Sequence, residues 1–170
     1  MKQYNNKQKI NTRIAVLYPQ VYETLVTYFK GQEIELFLTD KNQPLSEYDF
    51  VIMYNEFDFD NNTAKIINVH PSLLPAYKNK NAITEAFNDG VKVSGVTIHM
   101  KDKIIAQYPI LIGIETHADD FMKEVHQIAA KLLPPILDCI LKDKVFDFHD
   151  LFASPCHKTS GCNGCSKCKE

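Results

Sequence analysis

Residues 66–75 read IINVHPSLLP, an apolar run that ends in Asn-x-His-Pro-Ser-Leu-Leu-Pro. Side chains two positions apart in an extended chain leave the same face of a sheet, so Asn68 and His70 converge on one small volume. An amide hydrogen and an imidazole together can hold a developing oxyanion. Pro71 and Pro75 remove backbone donors and fix φ, so the chain after His70 leaves the sheet as a rigid loop carrying Ser72, Leu73 and Leu74. Taken singly, an Asn near a strand end serves turns and a His serves structural hydrogen bonds. Their pairing in this string is what points to chemistry.

Working outward, RIAVLY (13–18), EIELFL (33–38), DFVIMY (49–54) and KIINVH (65–70) are short apolar runs bounded by polar or turn residues, as buried strands are. VYETLVTYF (21–29) spaces Val21, Leu25 and Phe29 on one helical face, which makes a βαβ beginning and a parallel sheet. NAITEAFNDG (81–90) reads as a helix closed by Gly90. VKVSGVTIHM and KIIAQYPILI form an antiparallel hairpin around Lys101–Lys103, with His99 read as a structural side chain. A long helix over about 118–141 follows, expected to break or bend at Pro134 and Pro135. The fold class is therefore α/β, and Asn68 and His70 fall at a strand's carboxyl end, where open α/β sheets bind ligands.

The string NVHPSLLP resembles the signature of the formyltransferase family, which includes glycinamide ribonucleotide and methionyl-tRNA formyltransferases. AITEAFNDG, VSGVTIHM and IIAQYPI follow in that family's order, as does the helix in LLPPILDCILKDKVF. The resemblance implies a Rossmann-like fold with a mostly parallel sheet, a C-terminal antiparallel hairpin and helices on both faces. It also implies a 10-formyltetrahydrofolate cosubstrate, a small-molecule amine acceptor, and a catalytic trio of Asn, His and Asp. Asn68 and His70 match the first two positions, and Ser72, Leu73 and Leu74 become candidate cosubstrate-binding residues. The family's Asp lies on a longer loop than the one here, where Asp102 is the nearest carboxylate and a candidate substitute. The family's glycine- and serine-rich phosphate turn is replaced by Tyr18-Pro19-Gln20, which keeps a phosphate away from the backbone. YNEFDFDNNT (54–63), where the family has a longer apolar stretch against the pterin, is acidic and reads as a solvated loop or as a wall toward a cationic ligand.

Net charge is −2 from 19 basic and 21 acidic residues, which gives no cationic surface for nucleic acid. The start, MKQYNNKQKINT, lacks an apolar core, and no stretch reaches membrane-spanning length, so a cytoplasmic location is expected. Three parts are expected: a flexible leader over 1–12, an α/β domain over 13–149, and a cysteine-rich metal-binding tail over 150–170. In that tail Cys156, Cys162, Cys165 and Cys168 are spaced Cys-x5-Cys-x2-Cys-x2-Cys, with glycines at 161 and 164 that permit tight loops. Four soft ligands suit zinc or an iron–sulfur cluster, and a disulfide framework is disfavoured in a reducing compartment. The tail could equally be unstructured with inert cysteines, or meet a protein partner or a second copy and complete a site between chains.

Three functions follow as expectations. The first is formyl transfer, with Asn68 on the formyl oxygen and His70 in oxyanion and proton work. The second is a formyltransferase-fold binding or regulatory module without turnover, whose tail holds metal. The third is a metal-dependent enzyme in which the tail folds over the Asn68–His70 cleft.

Overall fold

A computed structural model describes residues 11–55, 65–101 and 103–143. Six strands form one sheet: β1 (Thr12–Val16), β2 (Ile34–Leu38), β3 (Phe50–Tyr54), β4 (Lys65–His70), β5 (Val93–Met100) and β6 (Lys103–Leu111). Their spatial order is β2-β1-β3-β4-β5-β6. The first four run parallel, and β5 and β6 join antiparallel. The strand order leaves β1 in both directions, to β2 on one side and to β3 on the other, so the switch point of the sheet lies between β1 and β3.

Three α-helices pack on one face: α1 (Pro19–Tyr28), α2 (Ala82–Asn88) and α3 (Ala118–Leu141). Val21, Leu25 and Phe29 are buried as their four-residue spacing requires. Pro19 opens α1 at a position where a missing N–H costs little. Gly90 follows α2 with φ +66° and donates its N–H to the Phe87 carbonyl, as a helix-closing glycine does. The expected helices on both faces take an uneven form. The opposite face carries a one-turn 3-10 helix, Leu45–Glu47, whose Leu45 packs with Ala15, Val51 and Met53.

Of the break or bend expected at Pro134 and Pro135, the break does not occur: α3 runs through both prolines without interruption. Each interior proline costs about 3 kcal/mol through a lost hydrogen bond and a ring clash. Leu132, Leu133, Ile136 and Leu137 flank them at 0% exposure. Burying four such side chains contributes roughly 1.5–3 kcal/mol each, enough to offset both prolines. No helix among the described residues is long and apolar enough to cross a membrane.

The contact between α2 and α3 centres on Phe87 and Phe121, whose rings meet edge to face with centroids 5.7 Å apart. Phe121 is completely buried. Phe121→Ala is expected to lower unfolding free energy by about 3–5 kcal/mol, read from the urea midpoint at unchanged slope.

Candidate active site

Alternation along β4 sends Ile67 and Val69 into the helix-covered core and turns Asn68 and His70 to the other face. The antiparallel partner β5 places His99 opposite Asn68 and Thr97 opposite His70, and β6 places Gln107 opposite Thr97. Five polar side chains thus share one sheet face. The β5–β6 register slips by one residue between Ile98 and His99, a bulge at Ile105 that sets how His99 meets β4.

The two imidazoles are held in opposite tautomers by backbone carbonyls. His70 Nε2 lies 2.9 Å from the Tyr77 carbonyl oxygen, which can only accept, so Nε2 carries the proton. In the neutral ring Nδ1 then holds the lone pair. His99 Nδ1 lies 2.8 Å from the Lys101 carbonyl oxygen, so its proton is on Nδ1 and its Nε2 is an acceptor. The Asn68 amide nitrogen donates to that Nε2 at 3.1 Å. This contact orients the amide, with its nitrogen toward β5. Burial lowers the His70 pKa below its ordinary value of 6.5, and nearby His99 lowers it further, against an opposing pull from the Tyr77 carbonyl.

The loop after His70 is built to aim the Tyr77 carbonyl. Tyr77 adopts φ +52°, a left-handed conformation that costs a non-glycine residue roughly 1–2 kcal/mol. Its hydroxyl donates to Asp89 at 3.0 Å, and Asn79 donates to Glu85 at 2.6 Å, so α2 holds the loop at two points. Asn55, with φ +52°, closes the other side by donating its side-chain amide to the Lys80 carbonyl at 2.9 Å. Ser72 is fully buried, and its hydroxyl donates to the Ala76 carbonyl at 2.6 Å. Thr97 Oγ1 donates to the Ser72 carbonyl at 2.6 Å and accepts the Leu74 N–H at 3.0 Å. Gln107 donates to the Leu74 carbonyl at 2.8 Å. Leu73 and Leu74 are half-buried, and Leu73 lies directly over Gly95.

The structure therefore brings Asn68 and His70 together on one face, with exposures of 3% and 0%. It places Ser72 inward, where its hydroxyl closes the loop. Asp102, the acidic loop from Glu56, and Cys156, Cys162, Cys165 and Cys168 lie outside the described residues. His99 belongs to this site and not merely to the strand. Its alternation was readable, but its position opposite Asn68 depends on cross-strand register and a bulge that carry no local sequence signal. A second cluster was also missed. Tyr18, at the end of β1, stacks on Tyr54 at 4.8 Å between centroids, and its hydroxyl meets His126 Nδ1 at 2.5 Å. Burial raises the pKa of both tyrosines, that of Tyr54 to about 12, and lowers that of His126.

Residues 55–137 match the family model described as Formyl transferase. An 83-residue segment, 45% of this chain, is 39% identical to phosphoribosylglycinamide formyltransferase of Bacillus subtilis and takes in 43% of that protein. An 88-residue segment, 48% of this chain, is 30% identical to formyltetrahydrofolate deformylase of Haemophilus influenzae and takes in 32% of it. The matched segments thus span less than half the length of these curated relatives. The fold is similar to that of the crystal structure of phosphoribosylglycinamide formyltransferase from Bacillus halodurans, with a TM-score of 0.61 at 24% identity over 80% of this chain and 100% of that one. The enzyme of the same name from Anaplasma phagocytophilum gives a TM-score of 0.62 at 21% identity over 78% and 88% of the two chains.

Two outcomes test this geometry. A Cβ on Gly95 would lie 2.2 Å from the Tyr108 carbonyl oxygen and 2.7 Å from Leu73 Cδ2. Backbone cannot yield as a side-chain tip can, so Gly95→Ala is expected to destabilise by at least about 1–3 kcal/mol and to loosen the loop, read as faster amide exchange at Leu74 and Ala76. The second concerns pH. With the pKa values of His70 and His126 depressed in the fold, the unfolded chain binds more protons below 6.5. Stability is therefore present above 6.5 and falls as pH drops below it toward the depressed values, with a shallower fall in His126→Gln, as urea midpoints across that window would record.

Proposed function

We propose that this chain transfers a formyl group from 10-formyltetrahydrofolate to a primary amine. The observation that carries the reading is the Asn68–His70 pair on one face, with the His70 proton fixed on Nε2, which makes Nδ1 the basic atom of the ring. The match to the Formyl transferase model over residues 55–137 and the names of the relatives support a formyl-carrying folate as donor. The cosubstrate supplies an activated formyl carbon on a nitrogen leaving group. An amide has two hydrogens. The Asn68 amide, which also donates to His99, is the proposed donor for the oxyanion that forms when the amine attacks the formyl carbon. His70 Nδ1 accepts the proton that the amine must lose and returns it to the departing folate nitrogen as the old C–N bond breaks. Leu73 and Leu74, held by Thr97 and Gln107, offer an apolar wall for a flat ring system.

Asp102 is the carboxylate proposed to complete this machinery from the β5–β6 turn. Where a catalytic imidazole loses its orienting acid, rates fall by on the order of four decades in a well-studied triad. Backbone carbonyls here already perform the orienting half of that task. Asp102→Asn is accordingly expected to cost well under that amount.

A second reading is favoured by the near-complete burial of both site residues: a module that binds without turnover, its Cys156, Cys162, Cys165 and Cys168 tail holding zinc or an iron–sulfur cluster. Stoichiometric metal by elemental analysis, together with no formyl transfer to any amine, would establish it. Under the first reading, Asn68→Ala lowers kcat by about 10²–10³ in protein that is still folded, and removing its buried hydrogen bond to His99 lowers the unfolding free energy by about 1–3 kcal/mol. The acid limb of kcat/KM lies below pH 6.5, because the reactive form of His70 is the neutral one and burial favours it. A rate that survives Asn68→Ala would remove the oxyanion role.

A further inference from the structure

The amino ends of the parallel strands frame a concavity of about 690 Å³. It is lined by Thr12, Phe50 and Lys65, the first residues of β1, β3 and β4, and by Ile140 and Leu141 in the last turn of α3. The proposed chemistry lies elsewhere, since Lys65 and His70 stand at opposite ends of β4, roughly 17 Å apart at 3.3 Å per residue. Beside this concavity α3 ends in a turn. Asp143 adopts φ +52° and donates its N–H to the Ile140 carbonyl at 3.2 Å, the left-handed closing turn that takes a chain off a helix axis. Residue 144 therefore starts within about 11 Å of Leu141, at the edge of the concavity.

The chain that follows, outside the described residues, has the composition to fill it. Residues 144–152 read KVFDFHDLF, in which Val145, Phe146, Phe148, Leu151 and Phe152 are apolar and three of the chain's ten phenylalanines are gathered. Such side chains are stabilised by leaving water. A cavity of about 150 Å³ already accepts benzene, so this one has room for the rings of both Phe146 and Phe148. In an extended stretch those two share a face and Asp147 takes the other. The rim suits that pattern, because Arg13 already engages its carboxylates, pairing with Glu47 at 3.5 Å and donating its backbone N–H to Asp49 at 2.9 Å. Lys65, its ammonium over the Phe50 ring at 5.4 Å, is the lining cation that meets an incoming acid.

We infer that this concavity seats the chain's own residues 144–152, with Phe146 and Phe148 inserted and Asp147 at Lys65, which tethers the Cys156–Cys168 tail at the amino end of the sheet and not over the Asn68–His70 face. Four residues, at most about 14 Å of extended chain, lead from Phe152 to Cys156. The test uses neither turnover nor metal. In the full chain Phe148 is replaced by photoreactive p-benzoylphenylalanine, which keeps the aromatic ring, and cross-linked peptides are mapped by mass spectrometry. Cross-links within one chain to Tyr48–Phe50 or to Lys65 are expected. In a second full-length variant, Phe146→Ser with Phe148→Ser should speed amide exchange at Lys65 and Leu141 by about 10-fold or more. Cross-links to Leu73, Leu74 or Gln107, cross-links only between copies, no cross-links, or parent-like exchange in the double variant would overturn the inference. Its failure would leave the proposed transfer reaction untouched.

Discussion

Two carbonyl oxygens decide the character of this site. The Tyr77 carbonyl fixes the His70 proton on Nε2, and the Lys101 carbonyl fixes the His99 proton on Nδ1. Opposite tautomers on neighbouring strands give the face one imidazole that orients an amide and one whose lone pair sits on Nδ1. Had both rings taken the same tautomer, Asn68 would meet an N–H instead of an acceptor and its amide would have to turn over. A backbone carbonyl cannot titrate or rotate away, so the arrangement is more durable than one resting on a carboxylate. The chemistry of the face thus depends on where two loops place their peptide groups.

Both loops are held by the rest of the fold. Tyr77 is kept left-handed by the bonds from the loop to Glu85 on α2 and to Asp89 just past its end, and α2 is seated by Phe87 on Phe121 of α3. Thr97 and Gln107 clamp the loop from below, and the absence of a side chain at Gly95 lets Leu73 settle on the sheet. Lys101, also left-handed at φ +50°, aims its carbonyl from the tight β5–β6 turn. A core of Leu and Ile side chains beneath α3 tolerates two prolines because burial outweighs the lost hydrogen bonds. That same packing carries the strain of the left-handed residues above.

Much of this was legible in the chain itself. The four parallel strands, the hairpin and the helices announce themselves through short apolar runs, four-residue spacing and a closing glycine, all of which are local signals. Asn68 and His70 were readable for the same reason, since a period of two puts them on one face. His99 was not, because its meeting with Asn68 depends on the β4–β5 register and on a bulge one strand further away. The continuity of α3 through Pro134 and Pro135 was hidden too, being a balance between local cost and tertiary burial. The Tyr18–Tyr54–His126 cluster joins residues from three distant segments and leaves no pattern in any one of them.

The central claim is the pair of opposite tautomers, and it is open to direct observation. A long-range ¹H–¹⁵N correlation spectrum of the histidine rings at pH 7.5 reports which nitrogen carries the proton in each. The account requires His70 to show a protonated Nε2 beside a bare Nδ1, and His99 the reverse, with both patterns kept in Asp102→Asn. Matching tautomers in the two rings, or averaging between forms at either, would contradict it.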